Sequence, residues 1–442
     1  MNTLKRAIGL PSATALVVGT IIGSSIFVQT SEITALVPSA GAVVAAWAVA
    51  GLLTLIGALV CAELASAYPK TGGVYVFLKE IYSPALGFLW GWATFWTMHT
   101  GILAAVATIF ARYAGYFVPL GDSGTRVVAI GAIAVLSAVN YLGVRLGGRV
   151  QSAFTLVKVA AVIGIIAVGW TMSNGASAAA AAAGAPAAEI GAGNFLLAVA
   201  AGLFAFGGWH MVTYTAEETV DPTRTIPRSL MIGVVVVTFC YIGLNAVYLR
   251  VLPIAQVITS TRIAADAFEV LVGPGGARII SGLVMFSAFG ALNGLVLLGP
   301  RVYYQMAQDG LWFSWARQLH PTFHTPGRAI LLQGVWASVL VLTGTYRALF
   351  TRVIYTEWIF FALLAVGVVL LRRRPGYAPA WRMPLVPLAP ILFVIVSVAI
   401  VFNQIRADLA NSAIGFLIVV SGIPAYYLWA RRRPAPGTGT NP

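Results

Sequence analysis

Twelve apolar stretches follow one another through this chain of 442 residues, each close to the length that crosses a bilayer. They span residues 10–37, 41–67, 84–114, 126–145, 151–172, 194–217, 229–250, 276–306, 327–344, 354–371, 384–402 and 411–430, and are numbered here as segments one to twelve. In hydrocarbon every backbone polar group must be satisfied within the structure, and stretches of about 20 apolar residues do so as spanning helices. Charge supports the same conclusion. Only 9% of the residues are charged, against roughly 25% in soluble proteins, while 59% are hydrophobic. A water-soluble enzyme could not cover itself with so few charges, and disorder requires low hydrophobicity. The expectation is an all-α polytopic membrane protein of twelve transmembrane helices. Residues 1–402 and 403–442 then form one membrane domain, and the alanine-rich stretch 176–188 forms a loop between segments five and six. Lys5 and Arg6 before segment one resemble a signal peptide, but the apolar run is long and lacks a small-residue cleavage pattern, so it is read as the first retained span.

The net charge of +14 and pI near 10.1 do not point to nucleic acid, because the basic residues sit singly or in short clusters between apolar runs. They read instead as topology signals. With both termini in the cytoplasm, 18 lysines and arginines fall on the inner side and 7 on the outer, a positive-inside bias. The inner set includes Lys5, Arg432 and Arg433. Arg112 and Lys158 are assigned to neither side. The location expected is the cell membrane. Cys61 and Cys240 lie inside apolar stretches and read as packing thiols.

Segments one and six are unusual. Segment one carries Gly19, Thr20, Gly23, Ser24 and Ser25 at its centre, and segment six carries Gly202, Gly207 and Gly208. Small residues at such depth serve either close helix packing or an unwound helix whose freed backbone groups hold a ligand. The placement favours unwinding: five spans separate the two, as between corresponding helices of inverted five-span repeats. Residues 10–172 would form the first repeat, 194–371 the second, and 384–430 two further helices. A half-helix beginning after a break presents free N–H groups and a positive dipole end, which suit a carboxylate. Gly23, Ser24 and Ser25 are placed to supply those groups. Carbonyls freed near Ile21, Phe204 and Gly207 suit an ammonium. Such a site would bind both ends of an amino acid zwitterion by backbone alone.

These residues resemble the amino acid–polyamine–organocation superfamily, most closely the L-type amino acid transporters and their bacterial relatives. GTIIGSSIF (19–27) is similar to that family's GTIIGSGIF. CAELASAYPKTGGVYVFLKEIY (61–82), LFAFGGWHMVTYTAEETVDPTRTIPRSL (203–230), FGALNG (289–294) and HPTFHTP (320–326) extend the likeness over nearly the whole chain. The resemblance implies a leucine-transporter-like fold with broken helices one and six, and amino acid transport by alternating access. It places Ser24 and Ser25 at the carboxylate, Ile21, Phe204 and Gly207 near the ammonium, and Phe204 also at an aromatic gate. Two residues depart from the family pattern. Ser25 stands where glycine is usual, and His210 follows Gly-Gly-Trp where many relatives have asparagine. His210 is either a structural histidine or one that binds polar substrate groups or senses pH. Phe206, Trp209 and Asn293 are further candidates for specificity, although packing explains such aromatics equally well.

Lys158 lies well inside segment five, where a cation is a functional hypothesis by default. Either it snorkels to the inner interface, or it is a fixed cation beside the break in segment one, near Ser287. Sodium-independent relatives resemble this chain in carrying a lysine there, which implies a substitute for a sodium ion and transport independent of sodium; of the family's two modes, exchange and proton symport, exchange is expected. Proton-coupled symport, of neutral or cationic amino acids or polyamines, is the alternative. Glu217 and Glu218 end segment six, as an inner gate, in pairs with Arg224 or Arg228, or as a solvated helix end. Glu63 is expected in a structural pair. No acid is evident in the cores of segments one and six, which favours neutral substrates. His99, His210 and Lys158 are too scattered for an enzyme centre, no HExxH spacing exists for a metal, and no charge rings mark a channel. No cofactor, metal, nucleic acid or disulfide-linked heavy chain is expected, and the oligomeric state is left open.

Overall fold

The structure is a computed structural model that describes residues 6, 8–142, 145–173, 190–323, 325–344 and 346–431. The loop 176–188, Lys5, His324, Arg432 and Arg433 lie outside the described residues. Each of the twelve apolar segments is helical over most of its described residues. Nine helices among the described residues are long and apolar enough to cross a membrane, ten when the bent pair Leu10–Ile21 and Ile26–Leu36 is taken as one span. Two shorter apolar helices, Gly327–Thr343 and Tyr355–Leu371, occupy segments nine and ten. The chain is therefore a multi-pass helical membrane protein.

Segments one, two, six and seven pack on one another, and segments three, four, eight and nine form a second group beside them. Small residues set the closest approaches, as in membrane helix pairs generally. A Cβ at Gly51 of segment two would come within 2.5 Å of Thr238 of segment seven, and one at Gly233 of segment seven within 2.5 Å of Val17 of segment one. Segment five packs against segments one, seven and eight, while segment ten packs against three, six and eleven.

Both glycine-rich segments are interrupted. The first helix ends at Ile21, the Gly23 N–H closes a tight turn on the Ile21 carbonyl at 2.6 Å, and a second helix starts at Ile26 with its axis turned by 48°. Serines compete with the backbone for hydrogen bonds and are poor helix formers, so Ser24 and Ser25 mark the break. In segment six, helix Ala192–Ala205 stops, and a tightly wound 3-10 stretch runs from Trp209 to Glu218. Gly208 between them has φ of 97°, a left-handed conformation open mainly to glycine. Segment three carries a π-helical turn at Thr94–Met98.

Candidate substrate site at the paired helix breaks

The two breaks meet. Thr20 donates its hydroxyl to Leu16 and Val17 carbonyls within its own helix and reaches the Gly208 carbonyl at 3.3 Å. A Cβ at Gly208 would lie 3.3 Å from Thr20. Ser24 and Ser25 are buried at the start of the second half-helix, where the Phe27 and Val28 amides donate to the serine carbonyls. The Ser24 and Ser25 amides themselves have no backbone acceptor among the described residues, and the Ser24 hydroxyl is buried without a hydrogen bond. These donors converge where the half-helix dipole is positive, which is an anion site in waiting.

The carbonyl side is more occupied than the sequence implied. The Ile21 carbonyl accepts from the Gly23 amide and also from the Tyr241 hydroxyl at 2.7 Å. The same hydroxyl lies 3.0 Å from the Ala205 carbonyl, so Tyr241 of segment seven ties both breaks together. The Phe204 carbonyl accepts from the Gly207 amide at 3.0 Å, and Gly207 is half-buried. The Ile21 carbonyl thus already meets two donors, and the Phe204 carbonyl meets the Phe206 amide as well as that of Gly207, so an ammonium at either one competes with these donors. Tyr241 escaped the sequence reading because a tyrosine in an apolar run has no pattern that separates it from a packing aromatic.

Lys158 is 2% exposed and places its ammonium 3.3 Å from both the Gly19 and Ile22 carbonyls. It does not snorkel: the freed carbonyls of segment one solvate it. Ser287 donates to the Gly23 carbonyl at 3.3 Å. Lysine and serine thus hold the unwound stretch from segments five and eight.

The remaining candidates separate. Phe206 packs against Trp47 and Tyr241, and Trp209 against His210 and Phe361. His210 is enclosed by the rings of Trp90, Trp209, Tyr214 and Phe361, and its Nδ1 has no hydrogen bond among the described residues. The Asn293 side-chain oxygen accepts from Asn140 of segment four at 2.7 Å, a scaffold contact. Phe204 is 4% exposed.

At the end of the bundle that holds Glu218, several links close the structure. Glu218 pairs with Arg301 of segment eight through two contacts, 3.0 and 3.3 Å, rather than with Arg224 or Arg228; Arg224 faces Asp221 instead. Glu217 is exposed. The Ile8 backbone bonds to Glu218 and Val220, and Asp309 accepts from Tyr75 and Lys79 at 2.6 and 2.7 Å. Glu63, fully buried, pairs with Arg372 at 2.6 and 3.0 Å and accepts from the Met383 amide.

Comparison with known proteins agrees with this geometry. The sequence profile described as "Amino acid permease" matches residues 8–423. The serine/threonine exchanger SteT of Bacillus subtilis (strain 168) is 32% identical over 98% of this chain and 98% of its own length. The b(0,+)-type amino acid transporter 1 of Homo sapiens is 29% identical over 99% of this chain and 92% of its own. The large neutral amino acids transporter small subunit 2 of Oryctolagus cuniculus is 31% identical over 96% of this chain and 80% of its own.

Proposed function

Since this chain belongs to the amino acid permease family, we propose that it is a sodium-independent exchanger of neutral L-amino acids that works by alternating access. The observation that carries this function is the junction of the two breaks, beside which the Ser24 and Ser25 amides and the Ser24 hydroxyl have no acceptor among the described residues. The substrate carboxylate binds those donors. The ammonium binds carbonyls of Ile21, Phe204 and Gly207, and Phe204 closes over the substrate. The names of the relatives, among them an exchanger, support the substrate class and the mode. The breaks in the first and sixth segments support a twelve-span arrangement of two inverted five-span repeats plus two helices.

Lys158 fills the role a sodium ion would play. Its ammonium binds carbonyls of the unwound stretch, a task that otherwise needs a bound cation, so the cycle needs none from solution. The Glu218–Arg301 pair and the Ile8 contacts act as the inner gate, with both termini cytoplasmic and the protein in the cell membrane. Cys61 and Cys240 are buried, so neither offers a thiol to a partner subunit.

The test is exchange in proteoliposomes preloaded with a radiolabelled amino acid chosen by a thermal-shift screen, since a ligand stabilises only the state it binds. Efflux should require amino acid outside and should be unchanged when sodium is replaced by potassium. Efflux without external substrate, or collapse without sodium, overturns the proposal.

A further inference from the structure

Glu357 lies in segment ten and no function described so far uses it. The helix that carries it runs from Tyr346 to Leu371, which puts it about 16 Å from one end and about 21 Å from the other at 1.5 Å per residue. It is therefore interior to the helix. It is 4% exposed, and no hydrogen bond or ion pair joins its carboxyl to a described residue. A lone acid at such depth is costly and marks a functional site by default. The buried or part-buried acids Glu63, Glu218 and Asp309 are paired, with Arg372, Arg301 and Lys79.

Its surroundings are those of the substrate site. Residues three and four apart share a helix face, so Glu357 lies on the face of Phe360 and Phe361. Phe360 packs on Trp90 at 5.4 Å, and Phe361 packs on Trp209 and His210 at 5.0 and 5.1 Å, directly after the break in segment six. Glu357 stands one turn further along that face. The π-helical turn Thr94–Met98 of segment three packs against segment ten, and such turns recur at functional sites because they widen a helix locally.

We propose that Glu357 forms a subsite for a positively charged substrate side chain, so that the transporter takes basic amino acids as well as neutral ones. It rests on the amino acid exchange proposed above. The backbone of the two breaks holds the α-carboxylate and α-ammonium, which every amino acid shares. The side chain then extends past the break in segment six toward segments three and ten, where an ammonium or guanidinium meets the Glu357 carboxyl. A neutral side chain leaves that carboxyl as it is found here.

The experiment compares lysine with norleucine, its counterpart without the terminal amine, as external substrates for proteoliposomes preloaded with a labelled neutral amino acid. In the parent protein both should drive efflux. In Glu357→Gln the half-saturating lysine concentration should rise about tenfold or more while that of norleucine moves less than about twofold, and Glu357→Asp should keep part of the lysine response. Robust norleucine exchange with no lysine response in the parent overturns the subsite, as does a Glu357→Gln variant that handles both alike. A variant in which lysine is unmoved but the pH profile of norleucine exchange flattens also overturns it, in favour of a proton-carrying carboxyl. If Glu357→Gln does not fold, the lysine-to-norleucine ratio of Glu357→Asp decides: a fall supports the subsite and an unchanged ratio overturns it. Absence of norleucine exchange and of all other neutral exchange in the parent is the separate failure of the exchange function.

Discussion

Tyr241→Phe isolates one hydroxyl at the junction of the two breaks. The ring packs edge-on against Trp47 at 5.4 Å and against Phe206 at 5.0 Å, and phenylalanine keeps both contacts. Only the links to the Ile21 and Ala205 carbonyls, at 2.7 and 3.0 Å, are lost. A hydroxyl has a single proton, so it satisfies these two acceptors by sharing or alternation. Ile21 keeps its bond from the Gly23 amide, which leaves Ala205 as the acceptor most affected. A buried acceptor left without its donor costs about 1–3 kcal/mol. Because 1.4 kcal/mol is about a factor of ten in rate or equilibrium, the variant should exchange about five- to a hundredfold more slowly if the hydroxyl aligns the breaks during the cycle. The assay is efflux from preloaded proteoliposomes, beside a thermal-shift curve on the same preparation. Stability should fall by only a few degrees, since a ΔΔG of this size moves the midpoint of even a 150–250-residue domain by about 2–4 °C per kcal/mol. Exchange within about twofold of the parent would refute the assignment of Tyr241 to the site and return it to packing.

Lys158→Ala removes the ammonium from the Gly19 and Ile22 carbonyls and should reduce exchange at least about tenfold, whereas parental rates would remove the lysine from the mechanism. Gly208→Ala forces a side chain into the left-handed region beside Thr20 and should cost about 1–2 kcal/mol in thermal-shift measurements, while Gly131→Ala, in a helix with open space around it, should be neutral or stabilising. Glu63→Gln breaks a fully buried carboxylate from Arg372 and should cost about 3–5 kcal/mol, visible as loss of the monodisperse peak in size-exclusion chromatography. Glu218→Arg or Arg301→Glu alone should impair exchange, and the two together should restore part of it if the pair is a gate, since the reversed pair keeps the same attraction.

Elements with a strong one-dimensional signal were legible in the sequence. The twelve apolar runs correspond to helix, and both glycine-rich breaks fall within two or three residues of Gly23 and Gly207. Lys158 was legible because a cation inside an apolar run has few explanations. What was missed depends on contacts between distant segments. Tyr241 acts on Ile21 and Ala205 across 220 and 36 residues, and nothing local to segment seven reports it. Arg301 in place of Arg224 or Arg228 as the partner of Glu218 has the same cause, as sequence neighbours were favoured over a residue 83 positions away. Glu357 was missed for the same reason. Three residues into a segment started at 354 an acid is unremarkable, and its burial comes from packing between distant elements that the sequence does not show.

The charges left at membrane depth have an order that bears on which substrates the site prefers. Lys158 and Glu357 are both buried, and among the described residues neither pairs with the other or with another charged side chain. Lys158 is held by carbonyls of the break in segment one, and Glu357 stands one turn from Phe361, which packs on the far side of the break in segment six. Thr20 and Gly208 join the two breaks, so the cation and the acid flank the junction from opposite elements. In a low dielectric a carboxyl without a counter-charge gains most from a cation brought beside it. An amino acid whose carboxylate lies toward Ser24 and Lys158 and whose side chain lies toward Glu357 is aligned with these two charges, and the reverse orientation opposes them. The arrangement therefore fixes direction before it fixes identity. An acidic side chain would face Glu357 as a like charge, so aspartate and glutamate should fail to drive efflux under conditions in which norleucine does, and Glu357→Gln should relax that exclusion. Efficient glutamate exchange by the parent protein would show that the side chain does not extend toward segment ten.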